Sequence, residues 1–336
     1  MMKIVAQAPT RVDLAGGTLD LWPIHCILDK CATLNVAVSL PAEVEIEEAS
    51  EFKLVSNDQK ISTSGSYNEI IRSEELPLLG LALAAVWNEV LPPVKLTTSA
   101  KSPAGAGLGG SSCLLVTILG ALTKYRQCFE PEFVLPEAKL VMTAQNIEAK
   151  LIHAPTGCQD YWGAVRGGIN VISYPISGVE VKTYPTSQMP ELNEHLLLCY
   201  SGQSRASAIN NWEIFKRTFD RDQKLIDQLQ ALGNLSAACV ESVNNKDFDG
   251  LMKLSQEEWK GRLQLWPNIE TEQTRRLDHA AKKAGAVFTR VCGAGGGGVM
   301  AVLCAPDKHK QVSQAVEGLG GKIIGSGIES SGLKVW

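Results

Sequence analysis

The sequence has no block of like charge and no basic excess: 32 Lys and Arg face 36 Asp and Glu, for a formal charge of −4. Nucleic acids recruit proteins through clustered Lys and Arg that release counterions, so no nucleic-acid partner is expected. Aromatic residues are sparse at 6%, and the seven tryptophans are not interleaved with basic residues as a base-stacking surface requires. The longest apolar run, Leu76 to Trp87, is well short of the roughly 20 residues that span a bilayer, so no membrane partner is expected. Met1 to Thr10 holds one Lys and no apolar core of signal length, which predicts no export signal. Nine cysteines include no C-x-x-C pair and mostly sit in apolar runs, so they read as buried, reduced thiols. These absences predict a soluble, cytoplasmic chain, either a monomer or a homodimer.

Glycine, by contrast, is plentiful and clustered. Of 30 glycines, Gly105, Gly107, Gly109 and Gly110 form one run, and Gly293, Gly295, Gly296, Gly297 and Gly298 form another. Clustered glycine implies backbone brought close to something. At 336 residues and 45% hydrophobic composition the chain is long enough for two domains, each with its own core. Residues 3–16 and 32–46 read as strands, 78–90 as a buried helix, 94–98 as a short strand and 112–125 as a helix. Pro136 can open the next helix, which runs to about Ile152. After a looser region containing Pro175, Pro185 and Pro190, a strand at 196–200 leads into helices at 206–219, 222–244, 248–264 and 271–284. The tail alternates strand, glycine run, strand, helix and two further strands at 322–324 and 333–335. The mixture predicts an α+β protein with a boundary near 175–192, giving units 1–185 and 186–336.

Ser102-Pro103-Ala104-Gly105-Ala106-Gly107-Leu108-Gly109-Gly110-Ser111-Ser112-Cys113 follows a predicted strand and opens an apolar helix. Free backbone N–H groups and the positive end of the helix dipole converge there, which suits a phosphate. Gly105, Gly107 and Gly110 satisfy G-x-G-x-x-G, with Glu130 twenty residues beyond, as a dinucleotide-dependent oxidoreductase would carry. Gly105 and Gly110 also have Walker A spacing, but Ser111 stands where the phosphate-binding Lys belongs. Two hydroxyls directly after the glycines favour a phosphate with its metal over a hydride-transfer site, since a Ser there can bind Mg²⁺. Ser111 and Ser112 can equally be helix caps.

The segment Pro103 to Ser112 resembles the second, nucleotide-binding motif of the GHMP kinases, the family of galactokinase, homoserine kinase, mevalonate kinase and phosphomevalonate kinase. Ala8-Pro9-Thr10-Arg11-Val12-Asp13-Leu14-Ala15-Gly16-Gly17-Thr18-Leu19-Asp20 is similar to the first motif in its sugar-kinase form, and Gly293 to Gly298 resembles the third. The resemblance spans nearly the whole chain. The Gly16-Gly17 pair, where galactokinases have Gly-Glu, is closer to the branch that phosphorylates heptose phosphates; Thr18 and Leu19 depart from both branches. The resemblance implies a two-domain GHMP kinase fold, with a ribosomal protein S5 domain 2-like N-terminal domain, a ferredoxin-like C-terminal domain and the acceptor between them. The glycines of the third motif would support the phosphate loop across the interface.

The implied reaction moves a phosphoryl group from ATP, with Mg²⁺, to the hydroxyl of a sugar or sugar phosphate, and the heptose-kinase likeness points to the anomeric hydroxyl of a heptose 7-phosphate. Such a transfer needs positioning, neutralised phosphate charge and an acceptor for the hydroxyl proton. Asp160, in a proline and glycine loop after the helix ending near Ile152, is the candidate base, and Arg11 is its candidate partner and a phosphate contact. Pro103, Gly105, Ala106, Gly107, Leu108, Gly109, Gly110, Ser111 and Ser112 are the candidate nucleotide-binding residues. Ser111 or Ser112, with Glu148, would hold the metal. Asp20, Gly16, Gly17, Thr18, Gln159 and Arg205 are the candidate substrate-binding residues, Arg205 as a grip for a phosphate on the far end of the sugar. His25, Cys26 and Cys31 lie close in sequence but lack metal-ligand spacing, and read as packing. A galactokinase-like enzyme, a mevalonate-type acceptor, the oxidoreductase and a non-catalytic sugar sensor are the rival readings.

Overall fold

In the computed structural model the described residues are 2–336 apart from 89–90, 205–207 and 267; the side chains of 208–210 also lie outside the description. The frame of the first half is a pair of long antiparallel strands, β1 (Lys3–Ala15) and β2 (Ala32–Glu48), paired from Lys3↔Glu47 to Ala15↔Leu34 with register shifts between Ala8 and Thr10 and between Asp13 and Ala15. Strict alternation sets the faces of β2: Val44 and Ile46 are buried, while Glu43, Glu45 and Glu47 point outward. Lys101, Lys3 and Lys95 on neighbouring segments meet those three carboxylates at 3.5, 2.8 and 3.2 Å. Exposed pairs of this kind are worth under about 1 kcal/mol each, so the apolar face fixes the register.

The hairpin β3 (Phe52–Ser56) and β4 (Ile61–Gly65) comes next, then α1 (Tyr67–Ile70) and α2 (Pro77–Val86). The helix expected to reach Val90 stops at Val86, because Trp87 turns extended and packs its ring against Phe52 and Tyr125 at 5.2 and 5.7 Å. Strand β5 (Val94–Ala100) pairs with the C-terminal half of β2 and, in parallel, with β3. Helices α3 (Gly110–Gln127), α4 (Glu137–Ile152) and α5 (Gln159–Arg166) then cover one sheet face. Leu115, Ile118, Leu119 and Leu122 of α3 bury against Leu83, Ile46 and Leu96. Burial of such side chains contributes about 1.5–3 kcal/mol each.

The loose region predicted around Pro175 holds two strands, β6 (Ile169–Ser173) and β7 (Glu180–Tyr184), with β6 pairing to the N-terminal half of β2. Then come α6 (Pro190–His195), β8 (Leu196–Tyr200), α7 (Ala208–Phe219), α8 (Gln223–Asn245), α9 (Phe248–Arg262), α10 (Glu272–Lys283), β9 (Ala286–Val291) and β10 (Val299–Cys304). Asp222 and Asp247 cap α8 and α9 by accepting the N–H groups of Leu225 and Gly250. The chain ends in α11 (His309–Glu317), β11 (Lys322–Ser326) and β12 (Lys334–Val335). Strands β8 to β11 form an antiparallel sheet in the order β11-β8-β10-β9, which with the helices between β8 and β9 and α11 is a ferredoxin-like arrangement. The terminal strand β12 leaves this unit and pairs with β1, so the eight-stranded sheet contains both ends of the described chain.

A second core lies between the two sheets and joins Val12, Leu14 and Leu34 to Leu198, Phe288 and Met252. A third fills the space between the four-stranded sheet and its helices. Six of the nine cysteines are buried, Cys31 is half-buried, and Cys26 and Cys128 are exposed, against the expectation that all are buried; all nine are free. His25 stacks on Tyr174 at 4.4 Å, and no group of three His, Cys, Asp or Glu able to hold a metal occurs among the described residues. No helix among the described residues is long and apolar enough to cross a membrane.

Candidate active site

The loop between β5 and α3 turns through left-handed backbone at Gly105, Gly107 and Gly109, with φ of 66, 79 and 71°. A side chain there would be strained, and at Gly109 a Cβ would lie 2.8–2.9 Å from atoms of Asp160. The loop delivers the chain to the N-terminus of α3, where the first-turn N–H groups have no intrahelical partner. The second glycine run buttresses the first, as expected from sequence: Val299 donates its N–H to the Ala106 carbonyl at 2.7 Å, and a Cβ on Gly298 would overlap that same carbonyl. The loop walls a cleft of about 860 Å³.

Pro103, Gly105, Ala106, Gly107, Gly109, Gly110, Ser111 and Ser112 all line this cleft. Leu108 does not. Its side chain is fully buried in the core between the sheets, and its carbonyl accepts the Arg11 N–H at 3.1 Å, so it anchors the loop to β1. At the far end, Asp58 and Gln59 from the β3–β4 turn join Leu78, Leu114 and Ile152, residues that no sequence pattern singled out.

Arg11 and Asp160 are 149 residues apart in sequence and meet in the cleft. Arg11 Nε donates to Asp160 Oδ1 at 2.7 Å, Nη2 pairs with the same carboxylate, and Nη1 donates to the Gly107 carbonyl at 2.8 Å. Burial disfavours the Arg11 charge, but Asp160 and Asp13 outweigh it and hold the guanidinium protonated. Asp160 sits in the first turn of α5 and not in the loop that was expected. Pro155 and Gly157 end the preceding segment, and an acidic residue suits the positive end of a helix.

Glu148, on α4, gathers three hydroxyls. Ser111 donates to its Oε1, while Ser112 and Tyr161 donate to Oε2 at 2.6 and 2.5 Å. Ser112 Oγ also lies 3.5 Å from Asp160 Oδ2, so one polar chain runs from Tyr161 through Glu148 and Ser112 to Asp160 and Arg11. The expected hydroxyl and carboxylate therefore lie together, and their all-oxygen donor set suits a hard cation such as Mg²⁺.

Asp20, Thr18 and Gln159 line the other side of the cleft. Asp20 accepts the Gln159 N–H at 3.1 Å, and burial, reinforced by Asp160, pushes its carboxyl up to about 6. The Oε1 of buried Gln159 has no hydrogen-bond partner. Gly16 and Gly17, expected to touch substrate, do not line the cleft. A Cβ on Gly16 would overlap the Ala32 carbonyl, and its N–H is donated to Glu258 at 2.9 Å. A Cβ on Gly17 would strike Arg262 and Asp13. Both glycines serve the packing of β1 against α9. Arg205 lies outside the described residues.

Beneath the cleft is a fully buried set of charges that the sequence did not announce. Asp13 accepts from Arg262 at 2.7 Å and from the Gly293 N–H at 3.0 Å and forms an ion pair with Arg290 at 3.1 Å; Arg290 also donates to Glu258 at 3.0 Å. Arg262 donates to the Gly293 carbonyl at 2.6 Å and lines the cleft. Two cations and two anions balance. Burial opposes ionisation of Asp13, but Arg290, Arg262 and Arg11 overcome it and hold the carboxyl well below the usual carboxylate range. Together they tie β1 of the large sheet to α9, β9 and the second glycine run of the other unit.

Two family models match the chain, the GHMP kinases N terminal domain over residues 78–168 and the GHMP kinases C terminal domain over 235–322, together more than half of it. The chain is 23% identical to the D-glycero-alpha-D-manno-heptose 7-phosphate kinase of Campylobacter jejuni, over 100% of this chain and 99% of that protein. It is 25% identical to the mevalonate kinase of Pyrococcus furiosus, over 99% and 98%. A solved D-glycero-D-manno-heptose 1-phosphate kinase from Bacteroides thetaiotaomicron shares the fold with a TM-score of 0.78 at 21% identity, covering 99% of this chain and 98% of that one. The chain belongs to the GHMP kinase family and is an ATP-dependent phosphotransferase with an alcohol group as acceptor.

Proposed function

We propose that the acceptor is a sugar phosphate, specifically a heptose 7-phosphate phosphorylated on its anomeric hydroxyl. The observation that carries the catalytic part of this reading is the single polar chain of Arg11, Asp160, Ser112, Glu148 and Ser111 along one cleft wall, at the N-terminus of α3. The loop N–H groups from Gly105 to Ser112 face the nucleotide phosphates, and the second glycine run keeps the loop in place. Ser111, Ser112 and Glu148 would hold Mg²⁺, which when bound neutralises charge on the phosphate oxygens. Asp160 orients the acceptor hydroxyl and takes its proton. Arg11, fixed by Nε and Nη2 on Asp160 and by Nη1 on the Gly107 carbonyl, presents the remaining N–H of each Nη to the phosphoryl group in transfer.

The sugar end rests on Asp20, whose ionised carboxylate accepts hydrogen bonds from vicinal hydroxyls, and on the unpartnered Gln159 Oε1. The similarity to a heptose 7-phosphate kinase along the whole chain supports the heptose, and the acceptor would lie between units 1–185 and 186–336. ADP release measured over a panel of acceptors tests the reading. The highest kcat/KM is expected with a heptose 7-phosphate, and removing its phosphate should raise KM. A preference for mevalonate, or equal rates with and without the sugar phosphate group, would replace this acceptor.

A further inference from the structure

We infer that Tyr161 is a positioning residue for the metal ion, holding the Glu148 carboxylate in its ligating orientation. The inference rests on the reading of Glu148 and the α3 serines as the Mg²⁺ ligands. Tyr161 follows Asp160 on α5, and its side chain is fully buried in the core under α3 and α4. A buried phenol needs a partner. Here the Tyr161 O–H donates a hydrogen bond to Oε2 of Glu148 at 2.5 Å. The second neighbour of the phenol oxygen is Thr156 Oγ1 at 3.0 Å, whose single proton is shared with the Gly157 carbonyl at 3.2 Å.

The two oxygens of Glu148 are thereby made unequal. Oε2 is held by O–H donors from two different helices, Ser112 of α3 and Tyr161 of α5. Among the described residues, Oε1 has only Ser111, an exposed residue at the cleft surface. Two anchors fix the plane of the carboxylate and turn Oε1 toward the phosphate loop. Because α5 carries both Asp160 and this anchor, the same helix sets the proton acceptor and the metal carboxylate relative to each other.

Groups that orient a ligand carboxylate in this way change metal affinity by about 10–100-fold when removed. The test is Tyr161→Phe, which keeps the ring and deletes only the hydroxyl. Mn²⁺ binding in the presence of a non-hydrolysable ATP analogue is read from the electron paramagnetic resonance signal of free Mn²⁺, and analogue binding is read separately without metal. Mn²⁺ should bind roughly 10–100-fold more weakly, with metal-free analogue affinity within about twofold of wild type. Unchanged Mn²⁺ affinity in Tyr161→Phe, with Glu148→Gln weakened, would overturn the inference and leave the metal reading standing. Unchanged Mn²⁺ affinity in Glu148→Gln would remove both. If Tyr161→Phe does not fold, Thr156→Val tests the same contact from the other side: it deletes the hydroxyl packed against the phenol oxygen and should weaken Mn²⁺ by roughly 2–10-fold. No change there would likewise overturn the inference.

Discussion

Replacing Asp13 by Asn should destabilise the chain by several kcal/mol, although Asp13 itself does not line the cleft. Asp13 is fully buried, accepts from Arg262 and the Gly293 N–H and pairs with Arg290, within a set whose two cations and two anions cancel. The amide of Asn is nearly the same size, but its NH₂ cannot accept, so it faces either the Gly293 N–H at the Oδ1 position or both guanidinium groups at the Oδ2 position, donor against donor, and the core is left with one net positive charge. Removing one partner of a buried pair costs about 3–5 kcal/mol. That is a large share of the 5–15 kcal/mol by which domains are typically stable. With a midpoint change of about 2–4 °C per kcal/mol for domains of this size, melting should fall by on the order of 10 °C. Circular dichroism during thermal and urea denaturation measures this, with Glu45→Gln as the control. Glu45 pairs with Lys3 at 2.8 Å on the exposed sheet face and should cost under about 1 kcal/mol. A loss for Asp13→Asn no larger than the control would refute the view that this carboxylate neutralises two buried guanidinium groups.

Gly298→Ala should raise the KM for ATP severalfold and leave the acceptor KM nearly unchanged, because a Cβ there would overlap the Ala106 carbonyl and push the phosphate loop, on top of about 1–2 kcal/mol of left-handed strain at φ 86°. Gly178→Ala is its comparison: at φ 137° with nothing within 4 Å, it should lower stability and leave ATP kinetics alone. Asp20 gives a pH signature. Its carboxyl is pushed up to about 6 in the folded chain, against about 3.9 in an unfolded one, so between those values the folded state binds more protons and stability falls as pH rises. The loss should total about 3 kcal/mol by pH 7 and vanish in Asp20→Asn, as urea denaturation at pH 4, 5, 6 and 7 would reveal. Over the same window the acceptor KM should fall as the carboxylate ionises; a flat profile in either measurement would contradict the buried, ionisable Asp20.

Much of the scaffold was legible because its punctuation is chemical. Pro136 marks the start of α4 and the glycines mark the loop before α3, while alternation marks β1 and β2 and unbroken apolar runs mark β8 and β10. β4 was not legible because Ile-Ser-Thr-Ser-Gly has almost no apolar partner set, and β6 and β7 were masked by the surrounding glycine and proline. The meeting of Arg11 with Asp160 came from the motif resemblance alone, since nothing local links residues so far apart. Gly16 and Gly17 carried a true signal that was given the wrong partner: their missing side chains admit Ala32, Arg262 and Asp13, not substrate. Glu258 and Arg262 sit in a helix whose sequence, Gln-Glu-Glu-Trp-Lys-Gly-Arg, looks like an ordinary solvated face. Only the docking of α9 on β1 makes them a buried charge pair for Arg290 and Asp13, and that is a property of tertiary contact.

The central claim is that Asp160, held by Arg11, positions the acceptor hydroxyl and takes its proton. Steady-state ADP release by Asp160→Asn, with saturating Mg²⁺ and ATP, tests it most directly, because the amide preserves the shape of the site and removes the proton acceptor. A fall in kcat of about 10²–10⁴-fold, with the KM for ATP within a few-fold of wild type, is the predicted result. A kcat close to that of the unaltered chain would contradict the account.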